Sequence, residues 1–407
     1  MGGIRERVLC CSKMDTKTIL WFNTARINSL ISYINMTPRK NMGGEWGFEQ
    51  ATDASKEREN QPDTTCYLIS DIHGLPEDRV ERLLDRLSVA SGRKQKDAGD
   101  NAQKFTVLMG DLPSSDTQDE IIRQFKSAQH NKTRLNFADP EEEQTFDRIV
   151  EKRGWRAGAY LSAKLNTPKK VAGARDEALG KNRKVAERLA RLPNPIVFPG
   201  NAETNAVYGS VGAVYEENGV PYYQEPRVVD LGERALVIWP SFKDPKSYSG
   251  EDKRKFKELM TSKTRELADL LANKKEVLII THEQPFYGSR QYKELVEKAG
   301  YKAYGAPFNG VNPSREYIMR LIGSLPKNSK IGIAFGHLHS PEQAVVAGTG
   351  LKLEQTGTGG MGNFKVTTKP VDGGEANTKG VEFFYIPQDE VGVVTIGKEG
   401  FRFEVAK

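Results

Sequence analysis

Five short apolar runs in this chain stop abruptly at residues that bind metals. Tyr67-Leu68-Ile69 ends in Ser70-Asp71-Ile72-His73-Gly74, and Phe105 to Met109 ends in Gly110-Asp111. Ile196-Val197-Phe198 runs into Pro199-Gly200-Asn201, Val277 to Ile280 into Thr281-His282, and Ile331 to Phe335 into Gly336-His337-Leu338-His339. Runs of this length bounded by glycine or proline read as buried strands. The chain turns away at a strand's carboxyl end, so Asp71 and His73 can aim oxygen and nitrogen at one point while Gly74 lets the backbone bend. A lone Asp or His there is ordinarily a structural residue; the repetition carries the weight. Only five histidines occur in 407 residues, and all but His130 stand at these ends.

Amphipathic helical patterns lie between the strands. Val80, Leu83, Leu84 and Leu87 follow the first; Phe256, Leu259, Met260, Leu267, Leu270 and Leu271 precede the fourth; Tyr317, Ile318, Leu321 and Leu325 precede the fifth, with Ser314 as N-cap. Strands alternating with helices predict an α/β fold with its site at the carboxyl ends of the strands. Beyond His339, β-rich runs at 381–386, 391–396 and 401–405, with Lys398-Glu399-Gly400 as a turn, predict a C-terminal hairpin completing a second sheet. Gly357, Gly359 and Gly360 are not followed by Lys-Ser/Thr, which excludes a nucleotide P-loop.

Residues 116–193 interrupt the alternation as a helical insertion. From Lys164 to Arg191 it holds nine basic residues against three acidic, an excess equal to the +6 of the whole chain. Two readings stay open: a cap that attracts an anionic substrate, including a nucleotide or nucleic acid, or a solvated helical surface, the ordinary fate of a charge run. No run of eighteen apolar residues exists, so no membrane span is expected. Three cysteines, Cys10, Cys11 and Cys66, cannot form a disulfide framework and suggest a reducing cytoplasm. Residues 1–64 read as an extension and linker, partly disordered, ahead of a domain at 65–407.

The strand ends offer Asp71, His73, Asp111, Asn201, His282, His337 and His339, hard-to-borderline ligands without a thiolate. They suit manganese, iron, zinc or magnesium, with manganese favoured. Seven exceed the needs of one ion, whereas two divalent ions sharing a carboxylate would use them all.

Here the chain resembles the calcineurin-like metallophosphoesterases, whose pattern runs Asp-x-His, Gly-Asp, Gly-Asn-His-Asp/Glu, His, Gly-His-x-His. Asp71-Ile-His73, Gly110-Asp111, Gly200-Asn201-Ala202-Glu203, His282 and Gly336-His337-Leu-His339 stand in that order. The resemblance, over about residues 65–407, implies a four-layer αββα sandwich of two mixed sheets flanked by helices. It implies that Asp71, His73 and His339 hold one metal, Asn201, His282 and His337 the other, and that Asp111 bridges them, with Asn201 also touching substrate. A metal-bound hydroxide would attack the phosphorus of a phosphomonoester or phosphodiester.

Two positions depart from the pattern. Ser114 stands where the family commonly has a second Asp, and Ala202 where it has the histidine that assists the leaving group. The ligand set favours an enzyme; the missing histidine leaves open a metal-bound scaffold with little hydrolysis. His130 could supply the acid from the insertion, although its polar setting reads as a helix end, and Glu203 reads as a support to the ligands or a turn cap. Because motifs and periodic elements begin at Cys66, a chain starting near Asp63 should melt cooperatively at a temperature close to that of the full chain. Insolubility or a large drop in melting temperature would show instead that the extension supports the fold.

Overall fold

The computed structural model describes residues 62–93, 103–203, 211–242, 249–283, 315–326, 328–337, 353–355, 363–366, 381–386 and 388–406. Residues 1–61 of the 1–64 extension, with Cys10 and Cys11, lie outside the described residues, as do Ser314, His339 and the Gly357–Gly360 loop, and Thr64, placed in the linker by the sequence reading, is the first residue of a strand. Twelve described strands form two sheets. The first has five strands in the order β12 (Gly400–Ala406), β11 (Val391–Gly397), β1 (Thr64–Ile69), β2 (Gln103–Met109) and β3 (Pro195–Phe198). The second has seven: β4 (Arg227–Leu231), β5 (Arg234–Trp239), β6 (Glu276–Thr281), β7 (Lys330–Phe335), β10 (Val381–Tyr385), β9 (Asn363–Val366) and β8 (Leu353–Gln355). β1, β2 and β3 run parallel, as do β5, β6, β7 and β10, while the hairpins at the edges are antiparallel.

Alternation along each strand builds the layers, because successive side chains point to opposite faces. Cys66 and Leu68 of β1 pack with Leu278 and Ile280 of β6 and Leu236 and Ile238 of β5, forming the core between the sheets. Tyr67 and Ile69 face the other way, onto Val80, Leu83 and Leu87 of α1 (Glu77–Arg93) and Val185 and Leu189 of α5 (Pro168–Leu189). On the far side, Val277 and Ile279 of β6 and Ile331 and Ile333 of β7 meet α7 (Gly250–Leu270) and α8 (Arg315–Ser324). The result is the expected four-layer arrangement of two mixed sheets flanked by helices.

Three details differ from the sequence reading. The C-terminal hairpin joins β1 in the first sheet, and only β10 enters the second. β11 is apolar on both faces, with Val391 and Val393 toward α1 and Val394 and Ile396 toward the inter-sheet core, so it must lie inside a sheet and leave half-solvated β12 at the edge. On α7, Leu259 and Leu270 are exposed, because the buried stripe is narrower and runs through Met260, Thr264, Leu267 and Leu271. β4 and β5 had no counterpart among the strands read from ligand-bearing ends.

The insertion contains α2 (Asp116–Asn131), α3 (Pro140–Arg153), α4 (Ala157–Lys164) and α5. Side-chain caps start three of them: Ser115 for α2, Asp139 for α3 and Thr167 for α5. A separate apolar cluster holds them together, built on Phe125, Phe146 and Tyr160, with Trp155 edge-on to Phe146 at 5.1 Å. Much of the basic tract is turned to acids of the same fold. Lys164 and Lys170 share Glu142 at 2.9 Å each, Lys181 meets Asp116 at 2.6 Å, Lys184 meets Glu77 at 2.5 Å, and Arg188 pairs with Glu81 and Asp85.

Phe384 of β10 carries much of the contact between the sheets. It is fully buried, its ring centroid lies 5.7 Å from those of Phe401 and Phe403 on β12, and a Cβ at Gly332 would come within 2.8 Å of its ring. Truncating such a side chain ordinarily costs about 3–5 kcal/mol. Phe384→Ala should therefore lower the denaturant midpoint by that equivalent, and a loss under about 1 kcal/mol would mean the two sheets are held elsewhere.

Candidate metal centre

The site forms where β1, β2 and β3 of one sheet and β6 and β7 of the other end side by side. Each chain segment must turn out of its strand within one or two residues, and the backbone enters the left-handed region to do so: Asp71 (φ 58°), Asp111 (φ 50°) and His337 (φ 69°), with Gly74 and Gly110 beside them. For a non-glycine residue that conformation costs on the order of 1–3 kcal/mol and persists only when surroundings enforce it. Here they do. Asp71 N–H donates to Gly110 O (3.3 Å), His73 N–H to Asp111 O (3.0 Å), Gly336 N–H to His282 O (3.0 Å), and His337 N–H to Asp71 Oδ2 (2.7 Å). The last bond ties the two sheets together at a carboxylate. At Gly336 a Cβ would collide with Ser70 Oγ and lie 2.6 Å from Asp71 Oδ2, which explains the glycine there.

Donor atoms of Asp71, Asp111, His282 and His337 all lie within 4.8 Å of one another. Asp71, Asp111 and His282 are essentially fully buried. His73 Nδ1 is 3.2 Å from Asp111 Oδ2, His282 Nε2 is 3.3 Å from Asp111 Oδ1 and 3.9 Å from Asp71 Oδ1, and Asn201 Oδ1 is 2.9 Å from His282 Nε2. Six of the seven ligands expected from sequence are thus brought together; the seventh, His339, lies outside the described residues. Two carboxylates, an amide oxygen and imidazole nitrogens converging in a buried space, with no thiolate, fit a divalent cation of the hard-to-borderline class.

The imidazole of His282 is oriented from behind. Its Nδ1 donates to Met109 O at 2.8 Å, so its Nε2 points at the carboxylates. Burial opposes a charge on His282, but Asp111 and then Asp71 outweigh it and push its pKa up to about 10. Burial likewise opposes the Asp111 charge, yet His282 and His73 hold its carboxyl well below the usual range. Both ring nitrogens of His282 face oxygen acceptors, Met109 O at Nδ1 and the Asn201 and Asp111 side chains at Nε2.

Two residues brace these turns from behind, Glu203, for which the sequence left two roles open, and Gln388, which it did not mark. Glu203 accepts three backbone N–H bonds, from Gly200 (2.6 Å), Asp111 (2.9 Å) and Leu112 (2.9 Å), and so clamps the β2 and β3 ends together; burial and the Asp111 charge push its pKa up to about 7. Of the two roles open to it, support to the ligands is the one it fills. Gln388, from the connection between β10 and β11, donates to Asp71 O (2.7 Å) and His73 O (3.3 Å). Nothing in local sequence marks a glutamine 317 residues from Asp71 as its partner. Ser114 is buried and bonds Asp119 Oδ1 at 2.5 Å. Ala202 presents its backbone N–H to Asp111 Oδ1 at 2.9 Å, and its methyl packs on the outer cluster of the first sheet. His130 is exposed in the last turn of α2, about 20 Å along the helix from its start at Asp116.

No protein-family model and no curated protein matches the chain. Among solved structures, one crystal structure aligns with 85% of this chain and 100% of its own at 11% identity and a TM-score of 0.41. A protein of unknown function, AQ665 from Aquifex aeolicus, aligns with 54% of this chain and 81% of its own at 12% identity and a TM-score of 0.21. Likenesses this remote carry neither fold nor function.

Proton linkage is a direct consequence of the His282 setting. A ligating imidazole must be neutral, so Mn²⁺ added to metal-free protein at pH 7.5 should release about one proton from this ring, and apparent affinity should rise with pH. Calorimetric titration in buffers of different ionisation enthalpy reads the number. Binding without proton release would mean that His282 is already neutral or is no ligand.

Proposed function

We propose that this chain is a metal-dependent phosphoesterase that works with two divalent ions, manganese favoured, on phosphomonoesters or phosphodiesters. The observation that carries the reading is the convergence of Asp71, Asp111, His282 and His337 within 4.8 Å, joined by His73 and Asn201, at the strand ends of two packed sheets. In this reading Asp71, His73 and His339 hold one ion, Asn201, His282 and His337 the other, and Asp111 is shared. Two ions held by these residues would activate a water for attack and would neutralise charge on the phosphoryl oxygens.

The chain's own groups set the limits of the reaction. Asp111 is fixed through its backbone by Glu203 and through Oδ1 by Ala202 N–H, so the shared carboxylate has little freedom to swing. Asn201, on the same loop, directs its amide oxygen into the site. Ala202 carries no titratable group, and exposed His130 does not replace one. The ion pairs along α5 leave less free positive charge to hold a polyanion, which favours a small phosphoester over nucleic acid. No described helix is long and apolar enough to cross a membrane.

A metal-bound scaffold of the same fold, binding a partner and hydrolysing little, is the second reading, and Ala202 is the residue that favours it. One experiment separates them. A positioned general acid is typically worth about 10²- to 10⁴-fold, so without one the rate should depend steeply on leaving-group pKa, with aryl esters and phosphoanhydrides cleaved far faster than alkyl phosphates. Ala202→His should flatten that dependence and help alkyl esters most, while Asp111→Ala should lose both ions and all activity. Two bound ions with no turnover of any ester would favour the scaffold, and equal rates on alkyl and aryl esters would point to an acid from another residue.

A further inference from the structure

Asn182 lies in the middle of α5 and is fully buried, although the helix around it belongs to the insertion and not to the metal site. A buried amide is retained only where its hydrogen bonds are made. Its Nδ2 donates to Pro113 O and to Ala178 O, at 2.8 Å each, and its Oδ1 accepts from Tyr215 O–H at 2.8 Å. The Ala178 bond stays within α5. The other two leave it, one for the loop that carries Asp111 and one for α6 (Val211–Glu217), on which Tyr215 is also fully buried.

The bonds close a ring. Tyr215 stacks on Tyr222, with centroids 6.0 Å apart and planes at 14°, and Tyr222 bridges to Val197 of β3. β3 leads into the loop bearing Glu203, which accepts the N–H groups of Asp111 and Leu112. Residues 111–113 are thus gripped by Glu203 at two amides and by Asn182 at the next carbonyl. That segment contains Asp111 in a left-handed conformation, the geometry that would relax if the grip were released.

We infer that Asn182 is a positioning residue for Asp111: through the Pro113 carbonyl it makes the helical insertion part of the support of the metal centre. The inference rests on the reading of Asp111 as a metal ligand, and it gives the insertion a role that its charge does not. Groups behind metal ligands ordinarily change affinity by about 10- to 100-fold when removed.

The test compares three variants of the full chain. Asn182→Leu keeps the shape and removes both outward bonds, Tyr215→Phe removes only the bond to α6, and Val185→Ala destabilises α5 from its apolar side. Two quantities are read: amide hydrogen exchange at Asp111 and Leu112 in metal-free protein, and the Kd for Mn²⁺. Asn182→Leu should speed exchange at these amides beyond its global loss of stability and weaken Mn²⁺ binding by about 10- to 100-fold. Tyr215→Phe should do so less, and Val185→Ala should speed exchange only as far as its global loss of stability accounts for and leave the Kd unchanged. If Asn182→Leu fails to fold, Asn182→Asp, which keeps the acceptor for Tyr215 and lacks the donor to Pro113, serves in its place. Exchange and Kd no different from those of Val185→Ala overturn the inference. A wild type that binds no divalent ion overturns the phosphoesterase reading instead, and the exchange data, which need no metal, still decide whether Asn182 holds the loop.

Discussion

Two buried carboxylates, Asp71 and Asp111, lie within 4.8 Å of one another, and the rest of the site is arranged around that repulsion. At an effective dielectric of about 20 the pair would repel by roughly 3–4 kcal/mol. Backbone N–H groups of His337 and Ala202 each bond one of the carboxylates, and the imidazoles of His73 and His282 stand against Asp111. These groups offset the charge in part; a divalent cation would do so far more completely. A buried cluster with these donors could hold a metal ion, which would offset the remaining charge.

Holding the carboxylates there requires backbone that leaves its strands sharply. Left-handed turns at Asp71, Asp111 and His337 accomplish this, and each is braced by a bond from another segment. Gly336 lets Ser70 and Asp71 approach, and Gly200 lets the Asp111 loop lie against the end of β3. Glu203 and Gln388 then bond the backbone of these turns without being ligands themselves. The site is a joint between two sheets, so its geometry depends on the inter-sheet core behind it.

The insertion changes meaning once its partners are visible. A run with nine basic residues against three acidic reads either as an anion-attracting cap or as ordinary solvated surface. In the folded chain Lys181, Lys184 and Arg188 dock α5 onto α1 and α2, and Lys164 and Lys170 close on Glu142 within the insertion. The same helix that carries these surface pairs turns Asn182 inward to the loop of the shared aspartate.

The α/β class, the strand ends and the six described candidate ligands, which the fold does bring together, were legible because they depend on local rules: apolar runs of strand length, breakers after them, and metal-binding side chains within two residues. Helical faces were legible for the same reason, apart from Leu259 and Leu270, where periodicity marks a wider stripe than the sheet can cover. What the sequence could not determine is which sheet receives the C-terminal hairpin, since alternation says that β11 is buried on both faces and not between which neighbours. Nor could it assign Gln388 to Asp71 or Asn182 to Pro113, bonds spanning 317 and 69 residues. Those pairings arise only when strands distant in sequence lie side by side, so the candidate ligands were determined by the sequence and the groups that aim them by the tertiary structure.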